Sequence, residues 1–268
     1  MATKKAATPV KKSTAKKPVT KSTVKAVASV AKTGLFSSPL KRAPFVGTLV
    51  AEFIGTFLLA IAVIAGQGQP IIILFALAGI VLLIGSLSGA HVNPAITIGA
   101  WVTRKISGLR ALGYVAAQFL GALAALGLLN AFVGGASHSE TSAYGAASLF
   151  TATALPVGKE WYVFFAELVG TAILGLVIAK ALSLASQKQV AKALTVGLGI
   201  FVALLFAASA SSYVGGSAII NPAVALSLQA LKWEMWPIAV YVLAPVAGGI
   251  IGFILFDILS VENDGGKD

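Results

Sequence analysis

The tripeptide Asn-Pro-Ala occurs twice in this chain, as Asn93-Pro94-Ala95 and as Asn221-Pro222-Ala223. Asn is a preferred helix N-cap and Pro is preferred at the first helical position, so each triplet reads as the start of a helix. A helix start gathers partial positive charge and free N–H groups, and each asparagine amide brings two further donors. Two carboxylates, Glu52 and Glu167, lie in otherwise apolar surroundings. The chain has no cysteine and only two histidines, His91 and His138. Disulfides, cysteine nucleophiles and thiolate metal sites are thereby excluded, and a histidine-based metal site has little to work with. No Walker loop and no nucleophile–base pair is present. The sequence therefore argues against an enzyme, and neither cofactor nor metal is expected.

The segments that carry these residues have the composition of a bilayer-embedded chain. Of 268 residues, 57% are hydrophobic and 11% charged, with a mean hydropathy of +0.92. An ordinary soluble domain carries roughly 25% charged residues. No charge occurs in residues 53–103, 111–139, 193–231 or 235–256. A helix needs about 20 predominantly apolar residues to cross roughly 30 Å of hydrocarbon. Turn residues divide the runs into six spans, predicted near 45–65, 71–88, 111–133, 161–184, 192–212 and 235–260. The connection 66–70 is short, so the first two spans are antiparallel neighbours. Residues 134–160 read as a long polar loop.

The net charge of +11 belongs entirely to residues 1–42, which hold eleven of the twenty Lys and Arg and no acid. This Lys-rich segment is expected to be disordered, and it lacks the apolar run of a secretory signal peptide. With the amino terminus cytoplasmic, eighteen of the twenty basic residues fall on the inner side. Both termini are therefore expected in the cytoplasm. The tail reads first as a topology signal. Its charge could also contact anionic lipid or nucleic acid.

The sequence repeats itself. Ala51-Glu52-Phe53-Ile54-Gly55-Thr56 matches Ala166-Glu167-Leu168-Val169-Gly170-Thr171, and Tyr114, Gln118 and Gly121 match Tyr241, Pro245 and Gly248. Order and approximate spacing are kept. Three spans per half make the second half enter the membrane inverted, as in many transporters and channels. Each Asn-Pro-Ala is followed by a ten-residue stretch, 94–103 before Arg104 and 222–231 before Lys232. Ten helical residues rise about 15 Å, half the hydrocarbon thickness. Each stretch is thus a half-helix expected to start at mid-membrane and end near a basic residue. Non-helical backbone at that depth must be buried in protein or line a water-filled cavity.

With Ser88-Gly89-Ala90-His91-Val92-Asn93-Pro94-Ala95, the two Glu-containing openings, Gln118 with Gly121 and Pro245 with Gly248, residues 43–260 resemble the aquaporin (major intrinsic protein) family. The resemblance implies an all-α membrane protein, an aquaporin-like bundle of six transmembrane helices and two re-entrant half-helices in an inverted repeat. It implies a homotetramer with one pore per subunit and passive flow of water or small neutral solutes. Domain bounds follow: a tail at 1–42, a channel at 43–260 with repeats near 43–133 and 158–260, and a short cytoplasmic end at 261–268. Asn93 and Asn221 are the expected central donors, with Pro94, Ala95, Pro222 and Ala223 completing the motifs. Glu52, Glu167 and His91 are expected to order the loops before them. Counting back from the motifs without gaps gives Ile73, Ser209 and Ala218 as filter positions, with Phe75 near enough to supply an aromatic. The fourth position, normally Arg in the family, is Val224. That set implies a wide, apolar constriction suited to glycerol, urea or ammonia. Two other readings remain open from the residues: a secondary transporter with a midplane site, and a membrane-tethered polyanion binder.

Overall fold

The computed structural model describes residues 44–135 and 148–264. The Lys-rich segment, His138, Glu140 and Lys267 lie outside the described residues. The elements are α1 (Pro44–Ala65), α2 (Pro70–Ser88), α3 (Pro94–Val102), α4 (Gly108–Gly135), α5 (Glu160–Ser183), α6 (Gln189–Ser212), α7 (Pro222–Ser227), α8 (Met235–Ile238) and α9 (Ala244–Asp264). A π-helical turn, Ala239–Leu243, joins α8 to α9. Among the described residues, six helical stretches are long and apolar enough to cross a membrane. Their outer faces are apolar as well, with Phe75, Leu82, Leu112, Leu120 and Val202 exposed. Helices that are hydrophobic all round suit lipid rather than water.

Packing follows the repeat. Helix α1 packs on α2 and α4, as α5 packs on α6 and α9. Helices α2 and α6 meet each other, and the short helices cross over, α3 lying on α9 and α7 on α4. This exchange is the inverted repeat in three dimensions. Small residues permit it. A Cβ placed on Gly121 of α4 would collide with the Phe53 carbonyl of α1. A Cβ on Gly248 of α9 would collide with the Leu168 carbonyl of α5. Equivalent glycines thus let equivalent helix pairs approach backbone to backbone, which side-chain packing in lipid requires.

Three elements differ from the sequence reading. The second half-helix ends at Ser227 rather than near residue 231. Gln229 turns into the left-handed region at φ 57°, and the Ala230 N–H closes onto the Ala225 carbonyl at 2.9 Å. Arg104 does the same for α3 at φ 61°, with the Lys105 N–H on the Ala100 carbonyl at 2.8 Å. The turn stops each helix by satisfying its end carbonyls, and Lys232 lies beyond it. The sixth span is interrupted by the π-helical turn just before Pro245. Proline has no N–H for the carbonyl four residues back, and its ring crowds that carbonyl, so the ladder widens there. The 148–156 stretch is not simply a polar loop, since Leu149, Phe150, Ala152 and Leu155 pack against the core.

Replacing Gly248 by Val should force α9 off α5 and cost at least the ~1–3 kcal/mol typical of overpacking. Gly127, where an added Cβ would meet nothing within 4 Å, should accept Val with little loss. Thermal unfolding of purified protein in detergent checks the contrast.

Candidate functional site

The two Asn-Pro-Ala triplets form the starts of α3 and α7, as helix chemistry requires. Asn93 Oδ1 accepts from the Ala95 N–H at 2.9 Å, and Asn221 Oδ1 accepts from the Ala223 N–H at 3.0 Å. Pro94 and Pro222 occupy first-turn positions where no N–H is needed. The caps also bind each other's loops. Asn93 Nδ2 donates to the Ile220 carbonyl at 2.9 Å, and Asn221 Nδ2 donates to the Val92 carbonyl at 2.9 Å. An amide nitrogen carries two hydrogens. Among the described residues each Nδ2 has one acceptor, which leaves one N–H free at each asparagine.

The carbonyls that accept these bonds belong to strained residues. Val92 has φ 42° and Ile220 has φ 51°, left-handed values rare for β-branched side chains. Such a conformation costs about 1–3 kcal/mol each and persists only where neighbours over-determine it. The neighbours here are the two glutamates. Glu52 accepts from the His91 N–H at 2.9 Å and the Val92 N–H at 2.7 Å. Glu167 accepts from the Ile219 N–H and, at 2.8 Å, from the Ile220 N–H. Both carboxylates are fully buried. Each strained residue is therefore held by its N–H on a glutamate and by its carbonyl on the opposite asparagine.

The first half carries a larger polar cluster than the second. Glu52 also accepts from Ser88 Oγ at 2.6 Å and from Gln118 Nε2 at 2.7 Å. Gln118 Nε2 reaches Thr97 Oγ1 at 2.9 Å, and the His91 ring nitrogen Nδ1 lies 3.3 Å from the same hydroxyl. In the second half Pro245 stands where Gln118 does, and among the described residues the Glu167 carboxyl group has backbone partners alone. The tyrosines remain equivalent. Tyr114 Oη donates to the Ser88 carbonyl at 2.9 Å, and Tyr241 Oη to the Ser217 carbonyl at 3.4 Å. Thr97 and Ser88 were not singled out from sequence, although Ser88 lies in the quoted motif and Thr97 one turn after the cap. Asp257, whose side chain stays 43% exposed, pairs with Lys105 at 2.7 Å and ties the loop after α3 to α9.

Cavities lie on both sides of this centre. The wide one, about 250 Å³, is lined by Ile73, Ala218, Val224 and Asn221, with Leu59, Val63, Leu204 and Phe150 among the other walls. Among the described residues its lining has no charged side chain; Gln67, Ser212, Ser217 and Asn221 supply the polar side chains. The narrow one, about 20 Å³, is bordered by Gly89, Ala90, Leu182 and Lys192. That is room for about one water. Two sequence expectations fail here. Ser209 is exposed and does not line the wide cavity; the α6 face that does is Ile200, Leu204, Ala208 and Ser212, one residue out of register with the gapless count. Phe75 is 69% exposed and points away from the cavity. The aromatic present is Phe150, from the 148–156 stretch, which lies outside any periodic pattern.

Exchanging Glu167 for Gln should replace one of its two accepting oxygens by an NH2 donor and leave one of two buried N–H groups without an acceptor. The expected loss is about 1.5–3 kcal/mol of stability, read as a lower unfolding temperature in detergent, with a parallel fall in flux per channel.

Comparison with known proteins agrees with this architecture. Residues 39–256 match the family model described as major intrinsic protein. Aquaporin AqpM of Methanothermobacter marburgensis is 27% identical over 259 residues, spanning 82% of this chain and 96% of that protein. Glycerol uptake facilitator protein-like 6 of Lactiplantibacillus plantarum is 31% identical over 227 residues, spanning 82% of this chain and 98% of its own. The crystallographic aquaglyceroporin from Plasmodium falciparum shares the fold with a TM-score of 0.64 at 22% identity, over 83% of this chain and all 100% of that one. The chain belongs to the major intrinsic protein family, and it is a multi-pass membrane protein that acts as a passive channel for small polar solutes and not as an enzyme.

Proposed function

We propose that this channel conducts water together with small neutral solutes of the glycerol, urea or ammonia class. The observation that carries this reading is the wall of the wide cavity. Val224 follows the second Asn-Pro-Ala, is only 2% exposed, and lines the cavity beside Ile73 and Ala218. A guanidinium there would narrow the path and add a fixed positive charge; valine does neither. An apolar wall also lets a solute leave at small cost, which conduction requires. One relative of similar length is named as a glycerol uptake facilitator.

Asn93 and Asn221 are assigned the central role in this reading. Their free amide hydrogens orient a passing oxygen, and the helix starts behind them oppose cations. Pro94, Ala95, Pro222 and Ala223 complete the two motifs at the starts of α3 and α7. Glu52, Glu167 and His91 hold the loops rather than carry protons. The filter comprises Ile73, Ala218 and Val224, with Ala208 in place of Ser209. A transporter mechanism has less support, because among the described residues the wide cavity offers no charged side chain to bind a coupling ion. We further assign residues 43–260 to the channel, with both termini cytoplasmic by the distribution of basic residues, and a homotetramer as the assembly. The Lys-rich tail is assigned to topology rather than to binding of anionic lipid or nucleic acid.

Stopped-flow light scattering on proteoliposomes should show glycerol flux alongside water flux. Val224→Arg should cut glycerol flux by about tenfold, equivalent to roughly 1.4 kcal/mol of added barrier, while water flux persists. Strict water selectivity in the parent channel would contradict the reading. Deleting residues 2–40 should leave flux per inserted channel unchanged in the same assay.

A further inference from the structure

We propose that Phe150 is a specificity-determining residue of the pore, a wall supplied by the connecting stretch rather than by any spanning helix. The inference rests on the neutral-solute reading above and concerns which solutes that path admits.

The wide cavity is bounded mainly by aliphatic and small residues, and Phe150 is the one aromatic among its described lining residues. The ring is seated from two directions. On one side the 148–156 stretch is hydrogen-bonded to the second re-entrant segment. The Ala152 N–H donates to the Leu228 carbonyl at 3.1 Å. The Thr153 N–H donates to Ser217 Oγ at 3.1 Å, and the two hydroxyls of Thr153 and Ser217 lie 2.6 Å apart. Ser217 and Leu228 themselves line the cavity, so these bonds register the ring against the pore wall. On the other side the ring rests on the turn between α1 and α2. Gly68 has φ 69°, and a Cβ there would come within 3.1 Å of Phe150 Cε1 and Cζ. Glycine serves both needs at that position, the left-handed backbone and the clearance for the ring.

A planar ring fixed in this way narrows the cavity that Val224 and Ala218 also line. It offers an apolar face to the carbon chain of a polyol and no hydrogen bond in exchange for lost hydration. Larger polyols are therefore held back more than glycerol, and water is affected least.

The test compares polyol and water permeability of the full chain in proteoliposomes, using glycerol, erythritol and xylitol as probes. Phe150→Ala should raise the erythritol-to-water and xylitol-to-water ratios by about fivefold, whereas Phe150→Trp should lower the glycerol-to-water ratio. The ratio separates the pore role from a packing role, since a merely structural loss lowers all fluxes together. Ratios unchanged from the parent in Phe150→Trp, or in a folded Phe150→Ala, would overturn the proposal. A parent that passes water alone would defeat the neutral-solute reading; the proposal about Phe150 would still be decided by whether Phe150→Ala admits glycerol.

Discussion

Breaking two helices at mid-membrane leaves backbone groups without water, and the structure depends on how those groups are satisfied. Val92 and Ile220 bear the constraint most directly. Each is a β-branched residue in a left-handed conformation, with its N–H on a buried glutamate and its carbonyl on the asparagine of the opposite half. An unsatisfied group in hydrocarbon costs several kcal/mol, and the strain adds to that. Four hydrogen bonds to two residues offset both. The glutamates on otherwise apolar helices then have a physical reason: each carboxyl group presents two oxygens, and these take two successive loop N–H groups. The reciprocal bonds also join the two halves, so neither re-entrant segment is fixed without the other.

The rest of the fold serves this arrangement. Gly121 and Gly248 allow α4 and α9 to lie directly on α1 and α5, against the residues next to the two glutamates. The two halves solve the same problem with different means. In the first, Ser88, Thr97, Gln118 and His91 build a polar cluster around Glu52. In the second, Pro245 replaces that amide, α7 is shorter, and the 148–156 stretch takes up the bracing through Ser217 and Leu228. The cavities on the two sides are unequal as well, one of about 250 Å³ and one of about 20 Å³.

The spans and the half-helix starts were legible in sequence because each rests on a local rule. Charge-free runs fix the spans, and Asn followed by Pro fixes a helix start. The glutamates were legible because their positions repeat. Helix ends were less so: the basic residue at 232 suggested a longer second half-helix, but the left-handed turn at Gln229 closes it earlier, and no glycine marks that turn. Ser209 was misassigned because counting residues from a motif assumes identical loop geometry. A displacement of one residue rotates a helical side chain by about 100°, enough to move it from the cavity to the outer face. Phe150 was not legible at all. Its position follows from hydrogen bonds to residues far along the chain, in a stretch with no hydrophobic period.

In the proposed reading, paired helix starts with asparagine donors, and no guanidinium lining the wide cavity among the described residues, assign charge exclusion to the re-entrant segments. The direct test is simultaneous measurement of glycerol flux and ionic current through the reconstituted channel under imposed solute, proton and sodium gradients. The account predicts glycerol flux that follows its own gradient in either direction, is indifferent to proton and sodium gradients, and carries no measurable current. Current accompanying the flux, or glycerol movement that depends on a proton or sodium gradient, would contradict it.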